Sequence, residues 1–102
     1  MYMDMFVALS DPTRRAILEI LASSGELTAS AIYEQFPVSP QAISQHLKVL
    51  KCAGLVQDRA AGTRRIYQLN PHGVAALKAE LDVFWGKALD AYKLITDEER
   101  DE

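Results

Sequence analysis

A mainly helical fold with one small β-hairpin, in the order α-α-α-α-β-β-α, follows from three observations. Asp11-Pro12, Ser39-Pro40 and Asn70-Pro71 each stand before a run with apolar residues at helical spacing. A side-chain cap followed by proline satisfies one free N–H and removes another, so the pair marks a helix start. Only between Leu55 and Leu69 does the pattern change, to two short β-branched and aromatic runs around Ala60-Ala61-Gly62-Thr63. With 102 residues, 49% hydrophobic and 25% charged, the chain has material for one domain with one modest core, spanning 1–102.

The elements follow in order. A short helix is expected within 1–9, with Met5, Phe6 and Leu9 as its apolar side. Asp11-Pro12 opens a second helix running to about Ala22 that buries Ile17, Leu18, Ile20 and Leu21. Arg14 and Arg15 fall in its first turn, where the helix dipole disfavours cations, so a carboxylate or a phosphate is expected to hold them if they are not simply solvated. Ser23-Ser24-Gly25 breaks that helix. Leu27 should be buried, and Thr28 caps a third helix from about Ala29 to Phe36, with Ala31, Ile32 and Phe36 inward.

Ser39 then caps a fourth helix that Gly54 ends. Ile43, Leu47 and Leu50 form its narrow apolar stripe. Gln41, Gln45, Lys48 and Cys52 lie opposite, with Ser44 on the flank. That outer side holds amides, a hydroxyl and an ammonium but no carboxylate, which suits base edges and phosphates. Helices three and four, joined by a few residues over 28–54, make a helix-turn-helix with helix four as its reading element. The hairpin over 55–69 is then a wing, with Thr63, Arg64 and Arg65 at a tip that can reach phosphates or a minor groove. Glutamine pairs bidentately with adenine, so Gln41 and Gln45 are the base readers. Ser39, Ala42, Ser44 and Lys48 complete that face; Thr28, Ser30 and Tyr67 can add phosphate contacts. His46 lies near the edge of the apolar stripe, placed for a phosphate or for bridging helices.

The last helix should run over 71–96. Val74, Leu77, Leu81, Phe84, Ala88, Ala91 and Ile95 follow a spacing of three then four, with Trp85, Leu89 and Tyr92 as a second row. Two adjacent apolar stripes exceed what one small core covers. A homodimer is therefore expected, its interface built from Met1, Tyr2, Met5 and Phe6 of the first helix. From the last helix it takes Leu77, Leu81, Phe84, Trp85, Ala88, Leu89, Tyr92 and Ile95.

The net charge of -3 hides a segregation. Between Ser39 and Asn70, Lys48, Lys51, Arg59, Arg64 and Arg65 stand against Asp58 alone, while 97–102 is an acidic tail. The expected partner is double-stranded operator DNA, met by a localised basic face. No apolar run spans a bilayer and no leader precedes the domain, so a cytoplasmic protein with no membrane partner is expected. One cysteine excludes an internal disulfide. His46 and Cys52 lie on different helix faces, too far round for a nucleophile–base pair, and no phosphate loop is present, so no enzyme is expected.

In this order and spacing, Ala8-Leu9-Ser10-Asp11-Pro12-Thr13-Arg14-Arg15-Ala16-Ile17-Leu18, Ser44-Gln45-His46-Leu47-Lys48-Val49-Leu50 and Ala53-Gly54-Leu55-Val56 resemble the ArsR/SmtB family of winged-helix repressors. The resemblance covers nearly the whole chain. It implies a dimeric repressor that occupies a palindromic operator through paired reading helices and wings. Metal-sensing members carry cysteines in a Glu-Leu-Cys-x-Cys segment, where this chain has Glu26-Leu27-Thr28-Ala29-Ser30. Hydroxyls are poor ligands for thiophilic ions, and His72 is the only histidine near the acidic residues of the last helix. The resemblance is thus to a metal-independent branch, with no metal and no cofactor; a small-molecule effector stays unspecified. Two alternatives remain at this point: a winged helix serving as a protein-interaction module, and a repressor switched by oxidation of Cys52.

Overall fold

The computed structural model describes residues 4–100. Met1 and Tyr2, expected at a dimer interface, and the last two residues of the acidic tail lie outside them. The elements are α1 (Met5–Ala8), α2 (Pro12–Ser24), β1 (Glu26–Thr28), α3 (Ala29–Glu34), α4 (Pro40–Cys52), β2 (Val56–Ala61), β3 (Arg64–Leu69) and α5 (Pro71–Arg100). The mainly helical architecture is the expected one, with two differences. A third strand, β1, pairs with β3 and makes a three-stranded antiparallel sheet in the order β1-β3-β2. Its three residues are too few for an alternating pattern to stand out. The hairpin loop is also shorter than expected. Ala61 pairs with Arg64, so only Gly62 and Thr63 turn the chain. Gly62 has φ 64° while Thr63 does not adopt a positive φ, which fits a turn with glycine at the first central position.

All three cap-plus-proline signals start helices. Asp11 accepts from the N–H groups of Thr13 and Arg14 at 2.8 and 3.1 Å, Ser39 from Ala42 at 3.1 Å, and Asn70 from His72 at 3.1 Å. The two N–H donors, Arg14 first, hold the Asp11 carboxyl below its ordinary range. Helix α2 runs two residues past the expected end, to Ser24, before Gly25 at φ 81°. Helix α3 stops earlier than expected, at Glu34, leaving Phe36 half-buried beyond it.

The core gathers Met5 and Ala8 of α1, Ile17 and Leu21 of α2, Ile32 of α3, and Ile43, Leu47 and Leu50 of α4, closed by Ala53, Leu55 and Val56. Each side chain is at most 4% exposed. Leu18 and Ile20 are half-buried at its rim. Phe6 departs from expectation: helix α1 begins only at Met5, so the inward pair is Met5 and Ala8, and Phe6 is turned out at 42% exposure.

Helix α5 leaves this core. It extends to Arg100, beyond the expected end near Thr96, and gives the protomer an extent of 67 × 27 × 26 Å. Its first turn is anchored: the Asn70 N–H donates to the Leu55 carbonyl at 2.9 Å. Gly73 lies against the backbone of Gly54. A Cβ added to Gly73 would fall on the Gly54 carbonyl oxygen and lie 2.6 Å from its carbon, too close for any side chain.

Candidate nucleic-acid interface

Helix α4 is built by its two ends. At its start, Ser39 caps and Pro40 occupies the first helical position. At its end, the Gly54 N–H donates to the Lys51 carbonyl and the Leu55 N–H to the Leu50 carbonyl, both at 3.0 Å. Gly54 adopts φ 80°, so the closing loop is a Schellman motif whose apolar contact is Leu50 with Leu55, both fully buried. The buried stripe of Ile43, Leu47 and Leu50 fixes the rotation of α4. Gln41, Ser44, Gln45, Lys48 and Cys52 are consequently exposed, and Ala42 is half-buried. Ser44 Oγ is 2.9 Å from Tyr33 Oη of α3, a bond that links the two helices of the motif.

His46 points elsewhere. Its Nδ1 lies 3.3 Å from an Arg14 guanidinium nitrogen and its Nε2 lies 4.0 Å from Asp11 Oδ1. With Arg14 as donor, Nδ1 is the acceptor and the ring is the Nε2–H tautomer. Of the two placements the sequence allows, the bridge between helices is the one in this structure. Arg14 also donates to the carbonyls of Ala8 at 2.7 Å and Val7 at 3.2 Å, and Arg15 to that of Leu9 at 2.5 Å. Among the described residues no carboxylate pairs with these arginines, whose guanidinium groups turn to backbone carbonyls instead. They brace the carbonyls at the end of α1, sharing that of Val7 with Ser10, a contact the sequence does not signal.

The wing is less basic in effect than in composition. Asp58 of β2, its side chain only 7% exposed, takes Lys51 Nζ at 2.8 Å and Arg65 at 3.2 Å. The hydrogen bond from Lys51, followed by attraction from Lys51 and Arg65, holds the Asp58 carboxyl below the usual aspartate range, against the opposing effect of burial. Arg59 forms a two-toothed pair with Glu26 of β1, at 2.8 and 3.1 Å, which lowers the Glu26 pKa and raises that of Arg59. Among the described residues, Lys48 and Arg64 are the cations of this face outside any ion pair.

A cleft of about 500 Å³ brings Thr28, Ser30, Thr63, Arg64 and Arg65 together at the seam between α3 and the wing tip. Thr28 Oγ1 accepts from the Ala31 N–H at 3.2 Å, and Glu34 adds a carboxylate to the lining. Tyr67 is not at the tip. It is half-buried against the core, opposite Leu27 and Asp58, and burial, then the Asp58 charge, raises its phenol pKa.

Comparison with known proteins fits this geometry. A helix-turn-helix domain family model matches residues 9–59. The HTH-type transcriptional regulator Rv2034 of Mycobacterium tuberculosis is 56% identical over 95 residues, which cover 93% of this chain and 88% of that protein. The transcriptional repressor SdpR of Bacillus subtilis is 45% identical over 67 residues, covering 66% and 73%. A crystal structure of a possible transcriptional regulator for arsenical resistance superposes with a TM-score of 0.78 at 44% identity, covering 93% and 96%. The solution structure of a homodimeric winged helix-turn-helix DNA-binding domain from Mycobacterium bovis, a possible ArsR-family regulator, gives 0.62 at 35% identity, covering 78% and 73%.

The chain belongs to the ArsR family of transcriptional regulators.

In this ArsR-family regulator a second surface accompanies the first. On α5, Leu77 and Leu81 are half-buried, while Phe84, Trp85, Leu89, Tyr92 and Ile95 are 54–63% exposed. Ala88 is also exposed. Phe84 and Trp85 meet edge to face at 5.5 Å, and Phe6 of α1 shares an apolar groove with Leu81, Phe84 and Trp85. Of the residues expected at a dimer interface, the structure thus gathers Phe6 with the α5 side chains, but it turns Met5 into the protomer's own core. Among the described residues, no helix is long and apolar enough to cross a membrane, and no group of three His, Cys, Asp or Glu residues could hold a metal ion.

Proposed function

We propose that this regulator is a homodimeric, non-catalytic cytoplasmic repressor that occupies a palindromic double-stranded operator, with no metal in its switching. The observation that carries the reading is the outer face of α4: Gln41, Ser44, Gln45 and Lys48 are all exposed on a helix without a single carboxylate. Gln41 and Gln45 face the base edges, and Lys48 with Arg64 meets phosphates. Two-fold symmetry sets the paired α4 helices about 34 Å apart, in successive major grooves. The apolar side of α5 together with Phe6 supplies the contact between copies. The repressor and DNA-binding descriptions of the relatives support this assignment. Thr28 and Ser30, where metal-sensing relatives carry thiolates, support a regulator that zinc or arsenite leaves on its DNA.

Fragments selected from genomic DNA by the purified protein, then titrated by fluorescence anisotropy, provide the test. Gln45→Ala is expected to cost about 1–3 kcal/mol on the selected operator and to relax preference at one position per half-site. Arg64→Ala should weaken binding to every sequence and flatten the salt dependence by about one unit of slope per half-site, about two for the dimer. Arg65→Ala should do so less, because Asp58 already neutralises that guanidinium. Operator affinity that survives Gln45→Ala and Arg64→Ala together would remove α4 and the wing as the DNA face.

A further inference from the structure

Helix α4 is tied to the two helices that carry the apolar surface, at two points that both lie off its DNA face. At mid-helix, His46 meets Arg14, whose guanidinium also holds the carbonyls of Val7 and Ala8 at the end of α1. At the C-terminal cap, the Gly54 backbone meets Gly73 in the first turn of α5, at a separation that admits no Cβ. One tie is a polar fork and the other a bare backbone contact. Packed backbones and well-filled contacts yield little to small forces, so such ties transmit position.

We propose that Arg14 and Gly73 are positioning residues that set the offset of α4 from the dimer axis, and thereby the half-site spacing the regulator accepts. The inference rests on the homodimeric, operator-binding reading above. Neither residue needs to touch DNA. A side chain at Gly73 would push α5 off the Gly54 loop and move the two reading helices relative to one another. Loss of the Arg14 fork removes the polar tie between α4 and α1, leaving only their apolar packing to hold the offset, and keeps Gln41, Gln45 and Lys48 as they are. The sequence does not announce either role: Arg14 reads as a misplaced cation in a first turn, and Gly73 as a weak point in a helix.

Duplexes of 40 base pairs are built from the half-site that the wild-type protein selects. They carry two copies at the selected spacing, or at one or two base pairs more or less, alongside a duplex with one half-site. Gly73→Ala and Arg14→Lys are each titrated on the set, with dimer content measured by sedimentation. Arg14→Lys keeps a positive charge for any phosphate nearby but cannot bridge two carbonyls and an imidazole. Expected for both variants is at least a tenfold loss on the wild-type spacing, a shifted or flattened spacing profile, and single half-site affinity within about twofold of wild type. The salt slope of Arg14→Lys should be unchanged. Should Gly73→Ala fail to fold, Arg14→Lys alone decides. Wild-type spacing profiles in the folded variants would overturn the proposal and leave the operator reading intact. A wild-type protein that shows no paired half-sites at all would instead overturn the operator reading.

Discussion

Gly73→Ala is expected to lower the unfolding free energy by about 2–3 kcal/mol, even though the residue lies in a helix. Two effects compete. Alanine is the better helix former and should contribute up to about 1 kcal/mol in favour of the variant. Against that, its methyl group would occupy the place of the Gly54 carbonyl and press on the Leu55 nitrogen, 3.3 Å away. Both are backbone atoms in the loop that closes α4, so neither can step aside as a flexible side chain would. Overpacking of this kind costs roughly 1–3 kcal/mol and more where nothing gives. Displacing α5 would also strain the Asn70–Leu55 hydrogen bond. The clash wins. Gly86, thirteen residues further along the same helix, is the control: a Cβ there meets nothing within 4 Å, so Gly86→Ala should add about 0.5–1 kcal/mol. Urea unfolding of both variants at one protein concentration gives the answer. Equal midpoints for Gly73→Ala and wild type would refute the close approach.

Asp58→Asn should act on stability and on DNA in opposite directions. The wild-type carboxylate bridges Lys51 and Arg65, which are 54% and 51% exposed, so losing its charge costs about 1–2 kcal/mol and not the larger figure of a fully buried pair. The sign with pH follows from the lowered carboxyl pKa. Stabilisation from this group is complete above the unfolded-state value of ~3.9 and is lost as pH falls through the lower folded value. The stability gap between wild type and Asp58→Asn should therefore be constant from neutrality to about pH 5 and close in stronger acid. On DNA, the variant frees two cations beside the reading helix. Its binding to random-sequence duplex should tighten, and its salt slope should steepen by up to about two per protomer, about four for the dimer. Discrimination between operator and random sequence should fall accordingly. An unchanged salt slope in Asp58→Asn would mean that Lys51 and Arg65 do not reach the phosphates.

The helices were legible in the chain because their signals are local. Asp11, Ser39 and Asn70 each make the capping bond that their position before proline implies. The stripe of Ile43, Leu47 and Leu50 fixes which side of α4 is buried. What the chain did not disclose depends on partners distant in sequence. Strand β1 exists because Glu26, Leu27 and Thr28 meet Gln68, Tyr67 and Ile66, a pairing that three residues cannot signal by themselves. That same pairing brings Glu26 beside Arg59 and cancels a cation that composition counts as free. Arg65 stays at the wing tip but is paired there with Asp58, on the neighbouring strand. Arg14 reaches back six and seven residues to the end of α1, across the break between two helices where no periodicity carries over. The face was readable, then, but the charges that remain available on it were not.

The length of α5 has a consequence for how the molecule responds to dilution. Val83, Phe84, Trp85, Leu89, Tyr92, Leu94 and Ile95 stand more than half exposed along it, far from the hydrophobic centre that holds the other helices together. Covering them with a second copy ties folding to association, so the midpoint of thermal denaturation should climb with each tenfold rise in concentration. Scarce chains would part and loosen before abundant ones, which makes the abundance of the protein itself a variable that its occupancy of DNA must follow.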